Sequence, residues 1–183
     1  LEPAPPGYQT AVFAGGCFWS SEKAFDGLPG VRSAVSGFVG GTRPNPTYEQ
    51  VCTGTTGHTE VAQVRFDPAM LSYAELLEVF WYAHDPTTRD RQGADEGTQY
   101  RSVIFSNDAA QKEIAEDLKK KLDASGAYKS PVVTDIVAFT VFYPAENYHK
   151  DYFANHPENP YCQSVIRPKI DKFRKVFRDK LRK

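Results

Sequence analysis

The sequence predicts an α+β fold, a two-layer sandwich in which an antiparallel or mixed sheet carries helices on one face. Three observations lead there. Strand-length apolar runs and helix-length amphipathic segments follow one another as β-α-β and then again β-α-β, the split βαβ order. The 183 residues contain no repeat and no linker-like stretch, so one domain spanning 1–183 with a real core is expected. Composition is that of a globular chain, with 40% hydrophobic and 25% charged residues and no apolar run long enough to cross a bilayer.

Taken in order, residues 1–9 are rich in proline and read as an irregular arm. Thr10 to Ala14 is the first strand. Cys17 to Asp26 is a helix stopped by Gly27, Pro29 and Gly30. Val31 to Val39 is a second strand ending at Gly40-Gly41, and Thr42 to His58, full of Gly, Pro, Asn and Thr, is mostly loop. Glu60 to Phe66 alternates apolar and polar residues as a third strand. Tyr73 to Ala83 is a helix with Leu76, Leu77, Val79, Phe80 and Ala83 as its apolar positions. His84 to Tyr100 is polar and aperiodic, and a loop that long in a compact domain is usually functional. Arg101 to Phe105 is a fourth strand, Asp108 to Ser125 a charged helix capped by Asp108, and Val132 to Phe142 a fifth strand. Asn147 to Asn155 is a short helix, after which an irregular, Pro-rich turn leads to Cys162. Residues 163–183 form a basic amphipathic C-terminal helix, with Ile166, Ile170, Phe173, Phe177 and Leu181 on one stripe. The expected core is therefore ferredoxin-like, with an irregular C-terminal region ending in a helix.

The bulk numbers also exclude. A net charge of −1 singles out no partner. Cys17, Cys52 and Cys162 lie far apart, which fits neither a disulfide scaffold nor a zinc site, so no metal is expected. No apolar signal segment opens the chain, which favours the cytoplasm, and a monomer with no membrane or nucleic-acid partner is expected.

The chemistry centres on Gly15-Gly16-Cys17-Phe18-Trp19-Ser20, where a strand gives way to a helix. The first helical N–H groups and the helix dipole favour a thiolate at Cys17, and the glycines permit a sharp turn with room for a substrate. A buried structural cysteine is the alternative. Glu60 opens a strand, and an inward-facing carboxyl there would be desolvated and held protonated, able to donate a proton. Solvent exposure is the alternative. The Tyr48 and Tyr100 hydroxyls, in or beside loops, could hold a polar substrate atom or merely reach the surface. His58, His84, His149 and His156 are possible bases for Cys17, as a cysteine hydrolase would need, although a surface position is expected of each. The basic C-terminal helix could contact nucleic acid, or simply pack its stripe and solvate its charges.

Several segments taken together resemble peptide methionine sulfoxide reductase A: Gly-Cys-Phe-Trp-Ser after a strand, Ser36-Gly-Phe-Val-Gly-Gly41, Asn45-Pro-Thr-Tyr48, Thr56-Gly-His-Thr-Glu60, His84-Asp-Pro-Thr87 and Arg91-Gln-Gly-Ala-Asp-Glu-Gly-Thr-Gln-Tyr-Arg-Ser102. The resemblance runs from about Thr10 to Cys162 and implies the same α+β sandwich. It implies that Cys17 is the nucleophile attacking the sulfoxide sulfur of oxidised methionine, S epimer, free or in proteins. Glu60 is implied as the acid on the sulfoxide oxygen, Tyr48 and Tyr100 as hydroxyls holding that oxygen, Phe18 and Trp19 as the pocket for the methyl group, and Asp95 as a carboxylate shaping the site. A sulfenic acid on Cys17 would then be resolved by a second thiol, Cys162 by its Tyr-Cys context or else Cys52, with thioredoxin as reductant and no bound cofactor. The sequence departs from the family in two places. Many members follow the resolving cysteine with a glycine-rich tail and a further cysteine, where this chain has Gln163-Ser164 and a basic helix, and Phe38 stands where tyrosine is frequent.

Overall fold

The structure is a computed structural model describing residues 4–177. Leu1 to Pro3 of the expected arm, and residues 178–183 of the expected C-terminal helix with Leu181, lie outside the described residues.

Strand β1 (Gln9–Ala14) runs into helix α1 (Phe18–Asp26), then β2 (Val31–Val39), a short α2 (Tyr48–Cys52), β3 (Thr59–Phe66) and α3 (Tyr73–Ala83). Next come the two-residue strands β4 (Arg91–Gln92) and β5 (Asp95–Glu96), a 3-10 turn at Thr98–Tyr100, β6 (Val103–Ser106) and α4 (Ala109–Ala124). The C-terminal part holds β7 (Asp135–Ala138), β8 (Tyr143–Pro144), a 3-10 turn at Asn147–His149, α5 (Tyr152–Asn155), a wide turn at Cys162–Ile166 and α6 (Arg167–Phe177).

The main sheet has the order β7-β6-β1-β3-β2-β8. Neighbours are antiparallel except β6 and β7, so the sheet is mixed. Its strands bury alternate residues on opposite faces. Ala11, Phe13, Ala62, Val64 and Ile104 pack with residues of α1, α3 and α6. Val12, Ala14, Val61, Val103 and Phe105 fill the other face together with Phe142. Burial on both faces explains why β1 reads as an unbroken apolar run.

The expected fifth strand over 132–142 contracts to β7, parallel to β6 at one sheet edge. Beyond it the chain leaves the edge and crosses the outer face. Phe142 is buried there, and Tyr143–Pro144 pairs with β2 at the opposite edge. Gly37 makes room for the crossing, since a Cβ there would sit 2.4 Å from the Phe142 ring. The loop expected over 42–58 also contains structure. Thr47 and Gln50 form a reciprocal capping box that starts α2, with Thr47 Oγ1 accepting from the Gln50 N–H at 3.2 Å and Gln50 Oε1 accepting from the Thr47 N–H at 3.0 Å. Asp108 caps α4 as expected, accepting from the Gln111 N–H at 2.8 Å.

Candidate active site

The β1–α1 junction delivers Cys17 to the N-cap of α1, in extended conformation, with 8% of its surface exposed. The preceding turn uses its two glycines differently from expectation. Gly16 adopts φ +90°, and a Cβ on it would lie 2.6 Å from the Gln92 side chain, while a Cβ on Gly15 would meet the His84 ring at 3.1 Å. The glycines make room for these two protein side chains rather than for a substrate. Gln92 is held over the turn by two bonds to Asp85, donating from Nε2 to its carbonyl at 2.8 Å and accepting from its N–H at 2.9 Å.

Glu60, near the start of β3, is 1% exposed and turned toward Cys17's helix. Its Oε1 accepts the Phe18 N–H at 3.1 Å, whereas Oε2 is buried with no protein partner. The same helix start thus orients both the sulfur and the carboxyl. Tyr100 closes the 3-10 turn that Thr59 ties to β3 by donating its hydroxyl to the Gln99 carbonyl at 2.9 Å. Tyr48 opens α2, its N–H donating to Glu146 Oε1 at 3.0 Å, and its hydroxyl reaches the Cys52 thiol. The ring of Phe18, fully buried, lies against Phe38, Tyr48 and His149, at centroid distances of 5.6, 6.0 and 5.2 Å. Trp19 stacks on Tyr152 at 3.9 Å, and its Nε1–H donates to His149 Nδ1 at 2.9 Å. Asp95, on β5, accepts the Tyr161 hydroxyl, which also lies within hydrogen-bond reach of the Cys17 sulfur. The arrangement offers a sulfur nucleophile, a carboxyl oxygen with no other employment, two tyrosine hydroxyls and an aromatic wall.

Residues 9–181 match the family described as peptide methionine sulfoxide reductase. The peptide methionine sulfoxide reductase MsrA of Thermus thermophilus is 54% identical over 174 residues, 95% of this chain and 98% of that protein. The MsrA of Saccharolobus solfataricus is 49% identical over 174 residues, 95% and 97% of the two chains. The chain belongs to this family. It is an oxidoreductase that reduces methionine sulfoxide. Among solved structures, methionine sulfoxide reductase A of Corynebacterium diphtheriae matches with a TM-score of 0.75 at 39% identity, covering 84% of this chain and 77% of that one. Mxr1 of Saccharomyces cerevisiae in its reduced form matches with a TM-score of 0.79 at 30% identity, covering 87% and 92%.

Electrostatics in this reductase correct one expectation. Burial, then the Glu60 carboxyl, push the Cys17 thiol well above its ordinary range, while the Trp19 N–H and the Tyr161 hydroxyl pull the other way. The helix start does favour the anion, but desolvation outweighs it, and the resting sulfur is a thiol. Glu60 is pushed up to about 8, first by burial, against the Phe18 hydrogen bond and with a further push from Asp95. It therefore carries a proton at neutral pH.

The histidines are also displaced from expectation, since His58, His84 and His149 are buried. His58 Nδ1 accepts the Gly41 N–H, leaving Nε2 to donate to the Arg43 carbonyl, so it ties two loops together. His84 bonds the Phe80 carbonyl and the Ser102 hydroxyl, and burial lowers its pKa to about 3. His149 is occupied by Trp19, and His156 stacks on Tyr152 at 4.0 Å. None is placed as a base for Cys17. Cys52, the alternative resolving thiol, is exposed. Cys162 is fully buried where the C-terminal helical segment begins, and all three thiols are free. Among the described residues no group of three or more His, Cys, Asp or Glu could hold a metal ion, and no helix is long and apolar enough to cross a membrane.

Tyr161 and Lys169 are site neighbours to which the sequence assigned no place beside Cys17, Lys169 being read as one of the solvated charges of the last helix. Tyr161 was visible only as the neighbour of Cys162. Lys169 carried a stronger signal, lying three residues after Ile166 and four before Phe173, on the apolar stripe rather than the basic faces.

Proposed function

We propose that the reductase works by attack of the Cys17 thiolate on the sulfur of methionine S-sulfoxide, free or protein-bound. The supporting observation is Glu60, a buried carboxyl pushed up to about 8, with one oxygen bonded to the helix start and the other unpartnered. A sulfoxide oxygen leaves poorly unless it gains a proton, and that free oxygen can donate one. Cys17 gives its proton to solvent, and the thiolate forms an S–S bond to the sulfoxide sulfur as Glu60 protonates the oxygen and becomes a carboxylate. The hydroxyl then passes to the Cys17 sulfur as the S–S bond breaks, giving a sulfenic acid and releasing methionine, and Glu60 regains a proton from solvent. Tyr48 and Tyr100 hold the oxygen, Phe18 and Trp19 flank the methyl group, and Asp95 orients Tyr161 beside the sulfur.

The sulfenic acid condenses with Cys162, forming a disulfide and releasing water. Thioredoxin reduces that disulfide, and no bound cofactor is needed. The chain acts as a single-domain monomer in the repair of oxidised proteins.

The test uses resolved sulfoxide epimers. Cys17→Ser should abolish turnover of the S epimer, and Glu60→Gln should lower single-turnover rates by roughly 10²- to 10⁴-fold, the range for general acid catalysis. Near-wild-type turnover in either variant would remove that residue from the mechanism.

A further inference from the structure

Lys169 stands apart from the other basic residues of α6. Arg167, Lys172, Arg174 and Lys175 are exposed, while Lys169 is partly buried among Ile166, Ile170 and Phe173. Its Nζ donates to Ser20 Oγ at 3.3 Å, and the Ser20 hydroxyl donates to the Cys17 carbonyl at 2.9 Å. The ammonium is thus joined through one side chain to the residue bearing the sulfur. Desolvation works against its charge, and Cys17 and Asp95 favour it.

The groups around this pair come from several elements. Glu60 faces Cys17 from β3, Asp95 from β5, and Tyr161 from the turn before α6. Tyr100 reaches the same cluster from its 3-10 turn. His84, at the end of α3, faces Lys169 but is uncharged at neutral pH. Cys17 is thereby surrounded by carboxyls and hydroxyls, and a sulfur that must ionise before it attacks has need of a cation.

We propose that Lys169 is a positioning residue of this reductase: through Ser20 it fixes the first turn of α1, and its ammonium stabilises the Cys17 thiolate. The basic C-terminal helix then has a part in the chemistry. The inference rests on reading Cys17 as the nucleophile.

The experiment follows iodoacetamide alkylation of Cys17, by mass spectrometry of its peptide, across pH in the wild type, Lys169→Met and Lys169→Arg. The midpoint of the curve is the readout, because it reports ionisation independently of accessibility. Lys169→Met should move the midpoint up by about one unit, slowing alkylation about tenfold below it. The pH profile of kcat/KM should shift in step, and Lys169→Arg should restore both. An unmoved midpoint in Lys169→Met, or an arginine variant as impaired as the methionine one, overturns the inference. If Lys169→Met does not fold, Ser20→Ala removes the anchor and should shift the midpoint the same way, and no shift overturns the proposal equally. Cys17→Ser separates the two readings. Turnover in that variant sinks the nucleophile assignment, whereas a dead Cys17→Ser beside an unmoved Lys169→Met midpoint sinks only the role of Lys169.

Discussion

Glu60 ties stability to pH through one buried proton. Its carboxyl ionises near the ordinary 4.5 in the unfolded chain and near 8 in the folded one. Between those values the native state binds more protons, so this group's contribution makes stability fall as pH rises through the window and level off above about 8. Glu60→Gln should flatten that slope and make the protein more stable than wild type at pH 8.5, by up to about 5 kcal/mol, as read by urea unfolding at several pH values. If Glu60 is the acid as proposed, the same variant should lose the alkaline limb of kcat/KM, because the proposed step uses its protonated form. Glu60 was legible because strand alternation marks which residues turn inward. Tyr48 and Tyr100 were legible as loop hydroxyls that could hold a polar atom or reach the surface, Asp95 only through its motif, and the place of Tyr161 beside Cys17 was not legible because it depends on how two distant segments pack.

At the scale of elements, the misses have physical causes. Thr47-Tyr48-Glu49-Gln50 carries the capping-box spacing, but Gly, Pro and Asn around it masked a helix of five residues. That box positions Tyr48, whose hydroxyl is proposed to hold the sulfoxide oxygen. Thr47→Ala should cost about 1 kcal/mol of local helix stability. Hydrogen exchange at the Val51 N–H, which donates to the Thr47 carbonyl at 3.0 Å, should quicken several-fold, with a loss in kcat/KM alongside. Unchanged exchange at Val51 counts against the cap. The polar stretch 84–100 was seen as functional but not as ordered, because its structure comes from side-chain bonds such as Gln92 to Asp85 that have no periodicity. The long strand expected over 132–142 failed because its apolar residues serve a crossing rather than one ladder.

Across the whole molecule, the segment from Tyr161 to Phe177 closes the site and packs the core together. Cys162, the proposed resolving thiol, is fully buried at the start of that segment, and on the proposed mechanism we expect that start to open before a bond to Cys17 forms. With one equivalent of sulfoxide and no reductant, sulfenic acid trapped by dimedone should accumulate first, and a Cys17–Cys162 disulfide should follow more slowly. A Cys17–Cys52 bridge, or a disulfide formed as fast as sulfoxide is consumed, would contradict this order. The α+β architecture itself was legible from the order of periodic segments alone. The C-terminal helix was legible as an element, but its chemical face was not, because amphipathicity shows which side is buried and not what it is buried against.

The crossing between β7 and β8 has a consequence for solubility. One continuous stretch, 135–144, supplies the outermost strand at both margins of the sheet, so unpaired backbone groups of β6 and β2 are shielded by the same piece of chain. A single protease nick between Phe139 and Phe142 would loosen both margins together, and the cut protein would then offer its neighbours more open strand edge than the intact one, in which β7 covers β6 and β8 covers β2 at Gly37 and Phe38.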